Sequence, residues 1–146
     1  MVTDIWGVLM SEKLGFTTYR QWAEDIAPQL HAALSGEREV APQEPFDEAW
    51  MAYALFHIES SVPVPLKNVI EIADGINHSI PNPDEIAWAF LRLMKRGWLA
   101  VQGDSYGLTT EGRDSVKRIV GGGGYILEEL ERLTDWISTH APSGDE

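Results

Sequence analysis

The chain has 146 residues, 44% hydrophobic and 23% charged, which suits one folded domain and excludes a disordered chain. Its 11 Lys and Arg against 23 Asp and Glu give a net charge of −12, which repels nucleic acid wherever no local patch overrides it. With no Cys there is no disulfide, thiolate metal site or cysteine nucleophile. No apolar run reaches the ~20 residues of a membrane span, and the first residues lack the basic start of a signal peptide. The expected setting is therefore the cytoplasm, without membrane contact. Residues 1–61 carry 3 basic and 10 acidic side chains, 62–120 carry 7 of each, and 121–146 carry 1 and 6. Only the middle third offers an anionic partner any purchase.

The N-terminal segment, 1–45, reads as two helices and a linker. Thr3 is placed to cap a short helix over Asp4–Lys13 that ends at Gly15, and Thr17 to cap a longer one. The second carries an apolar stripe at Tyr19, Trp22, Ala23, Ile26, Leu30, Ala33 and Leu34, with Pro28 expected to kink or break it. Gly36 closes it, and residues 35–45 form a polar linker.

Phe46–Ile58 is apolar on nearly all sides, as expected of a central buried helix. The prolines in 60–65 impose extended backbone, and a second helix follows at Leu66–His78. The third has the clearest boundaries: Asn82 as cap, Pro83 at the first helical position, Glu85 for a capping box and Gly97 as stop. Its core set is Ile86, Phe90, Leu93 and Met94. Trp98–Gln102 and Tyr106–Thr109 flank a Gly-Asp turn as a hairpin. A helix from Thr109 or Thr110 to Val120 ends at four glycines, and a last one covers Tyr125–Thr139.

Helix, short extended piece, two helices, hairpin and helix is the order of a winged helix. The fold class expected is mainly α: a winged helix-turn-helix core at 46–120, with an N-terminal segment at 1–45 and a C-terminal helix and tail at 121–146. Residues 90–101 (FLRLMKRGWLAV) and 105–116 (SYGLTTEGRDSV) resemble the third helix, wing and following helix of MarR-like and PadR-like bacterial regulators. The spacing of Phe90 and Leu93 to Gly97 and the Leu108-Thr109-x-x-Gly112 step carry the likeness. It covers about half the chain and marks fold more than function.

Two partner classes compete. The resemblance implies DNA binding through the third helix and wing. Arg92, Lys95, Arg96, Arg113, Lys117 and Arg118 are the cations available for one patch, but Asp84 and Glu85 make the leading end of that helix acidic and the wing turn carries no cation. Trp88 beside Arg92 on the expected outward face suits a protein partner instead. Ile126, Leu130, Leu133 and Ile137 repeat at coiled-coil spacing, and since MarR-like regulators dimerise through terminal helices, a homodimer seam is expected there.

Enzyme chemistry finds little support. Glu71, Asp74 and His78 share one helix side, but no further ligand completes a metal site, and a solvated face is the plainer reading. His31, His57 and His140 lack partners at ligand spacing, Glu48 and Glu59 form no acid/base pair, and the four glycines lack the strand and Lys-Ser/Thr of a phosphate loop. No catalytic residue, metal or cofactor is expected. The favoured reading is a non-enzymatic interaction or regulatory module, with a DNA-binding regulator as the alternative.

Overall fold

The computed structural model describes the backbone of residues 3–142 and the side chains of residues 19–142. Six helices and three short strands follow in order: α1 (Thr3–Leu34), α2 (Pro45–Phe56), β1 (Val64–Pro65), α3 (Leu66–Asn77), α4 (Pro83–Arg96), β2 (Leu99–Gln102), β3 (Ser105–Leu108), α5 (Thr110–Val120) and α6 (Ile126–Thr139). The sheet is antiparallel in the order β1-β3-β2, so the segment before α3 pairs with the returning strand of the hairpin. This is a mainly α fold with a winged helix-turn-helix core, a short β-hairpin wing, and helices before and after it. Among the described residues, no helix is long and apolar enough to cross a membrane.

α2 is the axis of the core. Residues 47–55 are all buried, and α3, α4 and α6 pack around this one helix. α1 lies against α3 and α4, so the helix-turn-helix is enclosed between α2 and α1. The expected pair of N-terminal helices is a single helix: the backbone runs helically through Gly15, Thr17 and Pro28. The side chains of Thr3 and Thr17 lie outside the described residues. Pro28 is exposed, so the Glu24 carbonyl it leaves without a partner faces water. The buried stripe of Ala23, Ile26, Leu30 and Ala33 meanwhile fixes both sides of the interruption on one surface. Gly36, at φ 85°, closes the segment as expected.

α4 begins and ends where its sequence places it. The Asn82 side chain accepts from the Glu85 amide at 2.8 Å, and the Glu85 side chain accepts from the Asn82 amide at 2.9 Å. Gly97, at φ 81°, terminates it in the left-handed region. Met94 departs from the expected core set at 41% exposed. The hairpin turn is the two residues Gly103 and Asp104, with Gln102 paired to Ser105.

The Leu108-Thr109-x-x-Gly112 step has a physical basis. The Thr109 hydroxyl donates to the Gly97 carbonyl at 2.8 Å and accepts from the Gly112 amide at 3.0 Å, joining the end of α4 to the start of α5. A Cβ on Gly112 would stand 2.7 Å from the Trp98 carbonyl oxygen, so only glycine allows α5 to cross there. Gly97 is needed for its torsion. Gly97→Val is expected to cost about 1–3 kcal/mol, because a β-branched residue is strained at positive φ. Thermal melts check it, and an unchanged melting temperature would place the end of α4 elsewhere.

Candidate functional site

Within the apolar α2, Glu48 is fully buried, and a carboxylate in that position must be paired. Two residues of α4, one helical turn apart, do so. Arg92 Nε donates to Oε1 at 2.8 Å, and Arg96 Nε donates to Oε2, so each carboxylate oxygen has its own guanidinium. The Arg96 side chain is only 5% exposed and lies 5.4 Å from the ring centroids of both Trp98 and Trp136. Trp136 in turn stacks on Trp98 and on His140. Arg92 lies 4.9 Å over the ring of half-buried Trp88.

The expected cationic patch is thereby divided. Arg92 and Arg96 turn toward Glu48 instead of outward. Arg113 donates to the Phe56 carbonyl at 3.0 Å and reaches the Ile58 carbonyl at 3.5 Å, closing the end of α2. Lys95, Lys117 and Arg118 are exposed, but on two different helices. Beside Trp88 and Arg92 lies a cleft of about 180 Å³, bordered by Gln43 of the linker and Ser138 and Ala141 from the end of the chain.

The elements that read DNA in winged-helix proteins, the leading end of the third helix and the wing, are both engaged by the N-terminal segment. Arg38 pairs with Asp84 in the first turn of α4 at 3.1 Å. His31 Nε2 lies 2.8 Å from Asp104 at the wing turn. Trp22 Nε1 donates to the Pro81 carbonyl at 3.0 Å, between α3 and α4. The Tyr19 hydroxyl donates to Asp74 at 2.6 Å, and that bond, with some burial, pushes its pKa up to about 12. Asp74, Asp84 and Asp104 thus partner Tyr19 and His31 of α1 and Arg38 of the linker.

The C-terminal seam is occupied within the chain. Leu130, Leu133 and Ile137 are buried at 3%, 0% and 3%, with α6 packed on α2 and α5. These three cannot also serve a second copy without unpacking the core. Ile126, expected with them, is instead 48% exposed between Tyr125 and Leu127, at 81% and 73%. Tyr53 OH donates to Glu129, and Arg132 donates to the Val120 carbonyl at 2.9 Å. These bonds fasten α6 across the glycine run.

Asp74 is taken by Tyr19, and His78 is the left-handed C-cap of α3. Among the described residues no group of three His, Asp or Glu is placed to hold a metal. Sequence reasoning missed Glu48, Trp98 and Trp136 as partners of the α4 arginines, and His140 as the ring stacked behind Trp136. The signal was weak: Glu48 follows Asp47 in the first turn of an otherwise apolar helix, where carboxylates also suit the helix N-terminus, and only the i, i+4 spacing of Arg92 and Arg96 points to a shared anionic partner. Compared with known proteins, the chain matches no family model, no curated protein and no solved structure.

Proposed function

We propose that this chain is a non-enzymatic interaction and regulatory module built on a winged helix, working in the cytoplasm mainly through protein contacts. The observation that supports it best is the state of α4. Two of its cations serve Glu48, while its leading turn and the wing are engaged by Arg38 and His31. What α4 leaves at the surface is exposed Lys95 and, lining the cleft with Gln43 and Ser138, half-buried Trp88 with the Glu48-paired Arg92 over its ring. A tryptophan braced by an arginine at the edge of a cleft is the composition of an interface hot spot. Self-association, expected from the sequence, moves from the seam to exposed Tyr125, Ile126 and Leu127.

The second reading is a DNA-binding regulator, favoured by the topology and by exposed Lys95, Lys117 and Arg118. Titration of random-sequence DNA between about 50 and 200 mM salt separates the two. The expected result is no saturable binding at micromolar protein. Binding whose logarithm falls steeply with log salt reverses the order, and Lys95→Glu with Lys117→Glu should then abolish it. Arg92 and Arg96 are unsuitable for that control, since changing them strips Glu48 of its partners.

A further inference from the structure

A second cleft, of about 260 Å³, opens between α1, the start of α3 and the wing. Its floor is apolar, formed by Ala23, Ala27 and Leu66. Tyr106 of β3 borders it and is 1% exposed, with its ring against Phe90 at 5.0 Å. Burial, and then the Asp104 carboxylate, push the Tyr106 hydroxyl up to about 12, so it remains a proton donor. Unlike the hydroxyls of Tyr19 and Tyr53, it has no hydrogen bond among the described residues. Nor is it one of the sealed, unpartnered atoms, so it meets open space, and the cleft is the space it borders. A phenol with no partner in the protein, open only at the wall of a cleft, is a donor that a ligand can take over from water.

The charges around the opening come in both signs. α3 begins here on Pro65, which offers no side-chain cap, so the positive end of the helix faces the cleft beside Lys67 and Arg20. Glu24 and Asp104 supply two carboxylates, the second already paired to His31. A simple carboxylate would be met by two like charges, and so would a simple amine. A molecule carrying both groups satisfies both sets. The volume falls below that of drug-sized ligand sites, which limits the occupant to a small metabolite.

We propose that this cleft binds a free α-amino acid with an apolar side chain. The carboxylate lies at the start of α3 with Lys67 and Arg20, the ammonium lies toward Glu24, the side chain rests on Ala23, Ala27 and Leu66, and the Tyr106 hydroxyl donates to the carboxylate. Because α1, α3 and the wing all border it, the occupant ties α1 to α3 and to the wing that His31 already engages. The site itself stands whether the partner is protein or DNA.

Calorimetry and thermal melts on the full chain test this with L-leucine and L-phenylalanine as probes, against 4-methylpentanoate and isoamylamine, which lack the ammonium and the carboxylate of leucine. At least one of the two amino acids should bind saturably and raise the melting temperature, and each leucine analogue should bind at least about tenfold more weakly than leucine. Tyr106→Phe should weaken binding about tenfold without lowering the melting temperature of the free protein. Exposed Glu24→Gln should narrow the preference for leucine over 4-methylpentanoate. Saturation by neither amino acid at about 10 mM overturns the proposal. So does an analogue that binds as tightly as leucine, or a Glu24→Gln protein with an unchanged preference.

Discussion

Glu48→Ala is expected to lower stability by about 3–5 kcal/mol, the typical cost of leaving a buried charge without its partner. That corresponds to a fall of roughly 10–15 °C in melting temperature for a chain of this length. Arg92 and Arg96 both lose the Glu48 carboxylate, and Arg96 is 5% exposed and enclosed by Trp98 and Trp136. Water cannot replace the carboxylate there. Removing the whole cluster is a different matter, because well-packed apolar side chains of similar volume often match a buried ion pair in stability. Glu48→Leu with Arg92→Met and Arg96→Met should therefore recover most of the loss. Calorimetric melts of the single and triple variants decide the point. If Glu48→Ala melts with the wild type, the carboxylate is not paired as described.

That cluster marks where the sequence stops being readable. The boundaries of α4, the hairpin turn and the start of α5 depend on residues within one turn of each other, such as Asn82 with Glu85 or Thr109 with Gly112, and such signals survive in any context. The direction of Arg92 and Arg96 depends on a carboxylate 44 and 48 positions away. On a helical wheel both fall at the edge of the polar arc, so periodicity sends them outward; only the need of Glu48 turns them in. The N-terminal helix failed for the opposite reason. Gly15, Thr17 and Pro28 are local stop and start signals, and tertiary packing of the stripe from Ala23 to Ala33 overrides at least Pro28. The engagement of the wing by His31 and of α4 by Arg38 joins segments tens of residues apart and leaves no pattern in either.

The C-terminal helix poses the same problem in its sharpest form, since an i, i+4, i+7, i+11 apolar line looks the same whether it meets a partner or its own core. Burial of Leu130, Leu133 and Ile137 within one chain decides what their loss should do. Each Leu→Ala truncation at a closed site costs ~2–5 kcal/mol, and Leu130→Ala with Leu133→Ala removes two from the buried face of α6. The sum approaches the 5–15 kcal/mol that hold a typical domain together, so the double variant should melt far below the wild type or fail to fold at room temperature. Leu133→Ala alone keeps the test readable. It should lower the melting temperature while leaving the mass measured by light scattering unchanged. The complementary variant is Leu127→Ser, at a position 73% exposed beside Tyr125 and Ile126. It should leave the melt of dilute protein unchanged and remove any dimer seen at high concentration. If Leu133→Ala instead lowers the mass with no loss of stability, α6 belongs to a partner and not to its own core. A wild-type chain that stays monomeric at millimolar concentration removes self-association from the reading and leaves Trp88 with Arg92 as the face on which the proposed function rests.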